Sequence, residues 1–258
     1  LSQGIKKEID TPSLKKRLQT LPYELTADQI TALDEINQDL SSSKQMHRLL
    51  QGDVGSGKTV VALLSAYMAI KQGYQVAFMV PTEILLEQHL NTANSLFPDI
   101  KTETLSSSTP NKTDVYQKLA LHEIDLVIGT HALFQDDVEF KNLGLVIIDE
   151  QHRFGVEQRR RLIKKGDHVD TLMLSATPIP RSLAASLFFD LDISSIQTYP
   201  SFRKENKTVL IEENSIRSIV GELQARLNAS DQMYVVCPSI DEDERQGVRN
   251  VVDIYEQF

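Results

Sequence analysis

Eight consecutive residues carry the clearest chemistry in the chain: Gly52-Asp53-Val54-Gly55-Ser56-Gly57-Lys58-Thr59. Glycines at this spacing let the backbone curl so that successive N–H groups face one anion. A helix opening immediately afterwards adds partial positive charge at the same point. Lys58 is placed to reach the β- and γ-phosphates of a nucleoside triphosphate, and Thr59 to hold Mg²⁺. The pattern carries weight only between a strand and a helix, and both flanks comply: residues 48–51 read as a strand and 59–71 as a helix.

A second group, Asp149-Glu150-Gln151-His152, comes directly after the apolar run Leu145-Val146-Ile147-Ile148. Ligands of open α/β sheets collect beyond the carboxyl ends of strands, so these acids are expected to face the phosphate loop. Asp149 suits Mg²⁺, directly or through water, and Glu150 suits polarisation of an attacking water. Alone, two acids here would read as the start of the next helix, where carboxylates are favoured. The loop at 52–59 turns the reading toward hydrolysis.

The elements that must position these groups alternate steadily. Strand patterns fit 75–80, 101–105, 125–128, 145–148, 171–174 and 193–197. Helical patterns fit 26–40, with Thr26 as N-cap, and 84–96, 112–121, 156–165 and 181–188. Runs without polar alternation suit strands covered on both faces, and βα alternation implies a parallel sheet between helix layers. Residues 1–20 read as the tail of a linker helix, with an apolar stripe of Leu14, Leu18 and Leu21 and Pro12 as a breaker. Near residue 204 the pattern restarts, with strands expected at 208–211 and 233–237 around a helix at 215–227.

The loop at 52–59 together with the later Asp-Glu-x-His resembles the superfamily 2 helicases. That resemblance implies a RecA-like P-loop NTPase domain over 21–203 and an incomplete second RecA-like lobe over 204–258. It implies ATP as cofactor with Mg²⁺. Pro81-Thr82-Glu83 and Gly129-Thr130-His131 resemble the segments that touch the nucleic-acid backbone. Ser175-Ala176-Thr177 resembles the motif linking hydrolysis to movement, with His152 bridging the γ-phosphate side to Ser175 or Thr177. Gln29 stands where the family has an adenine-reading glutamine, with Tyr23 upstream as a stacking platform. His131 reads equally as a phosphate donor or a plain loop histidine. His47, His89, His122 and His168 show no functional spacing.

Three stretches narrow the resemblance: the loop at 52–59, Asp149-Glu150-Gln151-His152-Arg153-Phe154-Gly155-Val156-Glu157-Gln158-Arg159, and Ala176-Thr177-Pro178-Ile179-Pro180-Arg181. Over residues 21–238 they are similar to the RecG family of bacterial branched-DNA helicases, and less so to the transcription-repair coupling translocases. The resemblance implies fork reversal and branch migration on forked duplex DNA. It also implies a wedge domain ahead of residue 1 and γ-phosphate-contacting arginines beyond Phe258. No Gln-x-x-Gly-Arg stretch occurs here. A missing arginine finger typically costs about 10³–10⁵ in turnover, so the chain by itself is expected to bind ATP and hydrolyse it slowly. A nucleotide-gated binding module without turnover is the rival from another class.

Composition sets outer bounds. A hydrophobic fraction of 41% with 24% charged residues excludes disordered and collagen-like classes. One cysteine, Cys237, cannot form an internal disulfide, and the apolar run at 60–70 is too short for a bilayer; a cytoplasmic protein is expected. The net charge of -9 looks wrong for a protein that handles polyanions, but it speaks to solubility and association rate, whereas binding depends on where cations sit. Arg153, Arg159, Arg160, Arg161, Lys164 and Lys165 form a local basic segment. That segment reads equally as a solvated helix face. The Leu at position 1 and the restart so near Phe258 are read as marks of a fragment.

Overall fold

Seven of the apolar runs pair into one sheet: β1 (His47–Gly52), β2 (Gln75–Met79), β3 (Thr102–Leu105), β4 (Leu126–Gly129), β5 (Leu143–Ile148), β6 (Asp170–Ser175) and β7 (Asp192–Ile196). Their order is β3-β4-β2-β5-β6-β1-β7, and every pairing is parallel. The computed structural model describes residues 4, 6–7, 11–150, 153–177, 191–199, 208–210 and 216–236. The chain divides into two compact units, Leu1–Arg203 and Lys204–Phe258. The first is an α/β unit with a parallel sheet between helix layers, the architecture expected for 21–203.

Side chains alternate across the sheet into two cores. Leu50, Phe78, Ile128, Ile147 and Leu172 pack with α1 (Thr11–Gln19), α2 (Ala27–Leu40), α3 (Lys58–Lys71) and α4 (Glu83–Leu96), through Leu14, Ile36, Leu64 and Leu86. Their chain neighbours Leu49, Ala77, Val127, Val146 and Met173 pack on the other face against α5 (Lys112–Leu121) and α6 (Val156–Ile163), through Leu119 and Leu162. This period-2 split is why the central strands read as unbroken apolar runs. Helix α3 is buried over nearly its whole length, from Val60 to Ala69, so its sequence lacks a polar face.

Most expected elements fall within a residue or two of their observed bounds. Thr26 caps α2 in a full capping box with Gln29. Pro12 does not break α1; it occupies the first turn, where a missing N–H costs nothing. Helix 181–188 lies outside the described residues. In the second unit, α7 (Ile216–Asn228) is present, but 208–210 and 233–236 are not strands. Val209 and Leu210 are exposed and lack ladder partners among the described residues. An apolar run becomes a strand only when a neighbour satisfies its backbone groups.

A buried ion pair ties the chain ahead of α1 to the sheet. Lys7 donates its ammonium to Asp170, whose other carboxylate oxygen accepts the Met46 N–H at 2.7 Å, while the Lys7 N–H bonds the Leu40 carbonyl at 2.9 Å. Both side chains are buried. Burial pushes the Asp170 carboxyl above the usual range, opposed by Lys7. Removing one member of such a pair leaves an uncompensated charge, so Lys7→Met should cost about 3–5 kcal/mol. Because Asp170 resists ionisation when buried, the deficit should be largest at pH 8 and shrink toward pH 5 as the carboxyl takes up a proton. Urea unfolding of both proteins at the two pH values checks this; a deficit that grows toward acid contradicts it.

Candidate active site

Strand β1 ends at Gly52 and α3 begins at Lys58, leaving a short loop above the carboxyl edge of the sheet. Gly57 caps α3 with φ 86°, and Gly55 has φ 78°, conformations that other residues adopt only under strain. A Cβ at Gly57 would also stand 2.2 Å from the Gln29 side-chain nitrogen. The first-turn N–H groups of α3 have no acceptors within the helix and open into the loop. Ser56 is fully buried, and its hydroxyl has no partner among the described residues. Lys58 folds back, donating to the carbonyls of Gly52 at 2.7 Å and Asp53 at 3.0 Å. Its half-buried ammonium is pulled below the ordinary lysine range by burial, opposed by the negative charges of Asp149, Glu150 and Asp53.

The acids sit where that attraction requires. Strand β5 stops at Ile148, and the Asp149 N–H donates to Met79 O at 2.8 Å, continuing the ladder one residue. Asp149 is buried. Its Oδ1 accepts the Glu150 N–H at 2.9 Å, and its Oδ2 accepts from His89 Nε2 at 2.9 Å. Glu150 itself has φ 48°, a left-handed conformation that costs on the order of 1–3 kcal/mol in a non-glycine residue. Gly55, Gly57, Lys58, Thr59, Asp149 and Glu150 all line one open cleft of about 430 Å³, with Tyr23 on its rim.

The residues fit a nucleoside triphosphate with its divalent ion. The glycine-bent loop at the N-terminus of α3 and the Lys58 ammonium line the same cleft and suit an anion of triphosphate size. Among the described residues no cluster of three His, Cys, Asp or Glu could hold a metal unaided. Thr59 and Asp149 line the same cleft and offer the one or two protein oxygens that Mg²⁺ usually takes beside phosphate and water.

Other expected residues separate into those the structure brings to this region and those it does not. Gln29 lines the cleft, but its amide is already engaged. Nε2 donates to Ser56 O at 2.8 Å, and Oε1 accepts the Thr26 N–H at 2.9 Å. The expected bidentate pair with adenine is therefore not on offer in this conformation; the side chain braces the phosphate loop. Asp53 turns away, accepting the Val54 N–H and the Tyr199 hydroxyl. Ser175 and Thr177 bond each other through their hydroxyls at 3.0 Å at the end of β6. Gln151 and His152 lie outside the described residues.

Beside the cleft, Pro81, Thr82, His131 and Arg153 line a second groove, and Glu150 lines both. Thr82 is the N-cap of α4, its hydroxyl accepting the Leu85 N–H at 3.3 Å. Gly129 and Thr130 do not reach the groove. A Cβ at Gly129 would meet Leu105 O at 2.4 Å, and Thr130 is buried with its N–H given to the same carbonyl. Both serve close strand packing, so of the residues expected to touch a nucleic-acid backbone, Pro81, Thr82 and His131 are the ones that line the groove. Phe134 and Phe154 are buried and stack edge-on near His131, as core rather than as a binding surface. The basic segment divides likewise. Lys165 donates to Gln135 O and Val138 O, while Arg160, Arg161 and Lys164 are exposed.

Sequence reasoning passed over His89. It lies on the buried stripe of α4 with Leu86 and Ala93. A histidine at a core position of an apolar stripe was the available signal, because a buried polar side chain needs a partner.

The sequence profile described as DEAD/DEAH box helicase matches residues 26–186. The ATP-dependent DNA helicase RecG of Bacillus subtilis is 46% identical over 258 residues, covering 98% of this chain and 38% of that protein. RecG of Streptococcus pneumoniae is 48% identical over 241 residues, covering 93% and 36%. A solved structure of RecG bound to a three-way DNA junction superposes with a TM-score of 0.79 at 44% identity, over 88% of this chain and 31% of that one. The chain thus spans less than two-fifths of the length of these relatives, and the likeness carried by its motifs extends along nearly all of its own. Since the profile covers more than half of the 258 residues, the chain belongs to the DEAD/DEAH box helicase family.

Proposed function

We propose that this chain is the ATP-hydrolysing motor lobe of a bacterial DNA helicase that acts on branched or forked duplex DNA. One observation carries the reading: Lys58 and Thr59 share a cleft with Asp149 and Glu150, and Glu150 also borders the groove of Thr82, His131 and Arg153. The RecG relatives and the junction-bound structure support the choice of DNA and of its branched form.

In this reading the loop N–H groups and Ser56 receive the phosphates, and Lys58 exchanges its two carbonyl partners for phosphate oxygens. Thr59 and Asp149 would hold Mg²⁺, which supplies charge neutralisation for the phosphates when bound. Glu150 orients the attacking water and takes its proton. Gln29 ties the adenine side to the loop through Ser56. His152, Ser175 and Thr177 relay the nucleotide state, and Thr82 and His131 hold the DNA backbone without reading bases. Residues 204–258 belong to a second RecA-like lobe in this proposal, and a wedge domain completes the whole protein. We place the protein in the bacterial cytoplasm on its likeness to bacterial RecG.

Three outcomes test the proposal. Glu150→Gln should leave nucleotide affinity nearly unchanged and lower ATP turnover by about 10²–10⁴. Calorimetry and phosphate release decide: unchanged turnover removes Glu150 from the chemistry, and nucleotide binding with no phosphate release even from the unaltered chain points to a binding module. Forked DNA should bind with a steep salt dependence, and Arg153→Ala should reduce the slope of log K against log salt by about one. An unaltered slope in fluorescence anisotropy removes Arg153 from the interface. Phosphate release with and without forked DNA, compared between this chain and one carrying the full second lobe, should show this chain slower by about 10³–10⁵. Equal rates contradict the need for arginines from that lobe.

A further inference from the structure

Asp149 is held at both of its oxygens before any ligand arrives. The Glu150 N–H takes Oδ1, and His89 Nε2, sixty residues away in sequence, takes Oδ2 at 2.9 Å. A carboxylate only accepts, so Nε2 carries the proton in this contact. The imidazole is buried and clamped, lying on the Phe78 ring with centroids 4.9 Å apart and planes 22° apart. Its Nδ1 is buried without a hydrogen-bond partner among the described residues. An unpaired buried polar atom is a cost, and between Leu86 and Ala93 an apolar side chain would avoid it. Packing therefore does not account for a histidine at this point. The bond to Asp149 does.

We infer that His89 is a positioning residue for the metal-binding carboxylate: seated on Phe78, it fixes the plane of Asp149 so that the remaining lone pairs stay directed to the cleft that Asp149 lines. The inference rests on the reading of Asp149 as a ligand of the divalent ion. Partners that orient a ligand typically govern metal affinity by about 10–100-fold. His89 would act on the ion through Asp149, without contacting the nucleotide's reacting atoms.

Mn²⁺ binding, monitored by electron paramagnetic resonance at saturating ADP, tests the inference on the 258-residue chain. His89→Ala should weaken Mn²⁺ affinity at least about tenfold. His89→Gln, whose amide N–H reaches the position of Nε2, should restore most of it. Binding of fluorescent ADP in EDTA should be the same in all three proteins, which also shows that they fold. Wild-type Mn²⁺ affinity in His89→Ala overturns the inference, as does His89→Gln binding as weakly as His89→Ala. Loss of metal-free ADP binding in His89→Ala overturns it too, because the role would then be general packing. Asp149→Asn separates the two levels: if it binds Mn²⁺ like wild type, the reading of Asp149 itself fails.

Discussion

Seven strands running the same way must all end at the same edge, and that constraint makes a site from residues far apart in sequence. Gln51 pairs with Ser175 in register, and Ile148 with Met173, so the chain leaves β1, β5 and β6 close together on one side of the sheet. The segments leaving these three strands are polar or glycine-rich: the phosphate loop after Gly52, the two acids after Ile148, and the Ser175–Thr177 turn. The apolar interior of each strand supplies no chemistry; it fixes where that chemistry stands. Two close-packed cores, one on each face, hold the sheet and so fix where its strand ends stand.

The local chemistry at that edge is assembled by hydrogen bonds that commit groups in advance. Asp149 is fixed by Met79, Glu150 and His89, and Ser56 by the Gln29 bridge to α2. Glu150 accepts a left-handed backbone to stand between two grooves. Strain kept at a reacting group, with the surroundings rigid enough to hold it, is a common form of preorganisation. The Lys58 ammonium rests on two neutral carbonyls, partners weaker than a charged oxygen.

The strands, the phosphate loop and the acids were readable because each depends on a short local pattern. Leu145-Val146-Ile147-Ile148 announces a doubly covered strand, and Gly52 to Thr59 announces the turn that needs its glycines. Contacts between distant segments were not readable. Nothing near Gln29 in sequence says that its amide lies 2.8 Å from Ser56 O and braces the loop. Thr130 looked accessible because burial of one hydroxyl at a strand end depends on the neighbouring strand β3. His89 looked idle for the same reason, and Lys7 offered no hint of a buried partner beyond the middle of the chain. The apolar stretches at 208–210 and 233–236 show the converse: among the described residues they have no neighbouring strand, and propensity alone gives none.

The central claim is geometric: a triphosphate and its ion lie between the 52–59 loop and the Asp149–Glu150 pair. A crystal structure of the chain with Mn²⁺ and a non-hydrolysable ATP analogue, read by anomalous scattering, measures it directly. The account predicts a manganese peak at coordination distance, about 2.1 Å, from the Thr59 hydroxyl, on the side facing Asp149, with Lys58 turned to the phosphates. A nucleotide bound elsewhere, or an ion remote from Thr59 and Asp149 with Lys58 still on Gly52 and Asp53, would contradict it.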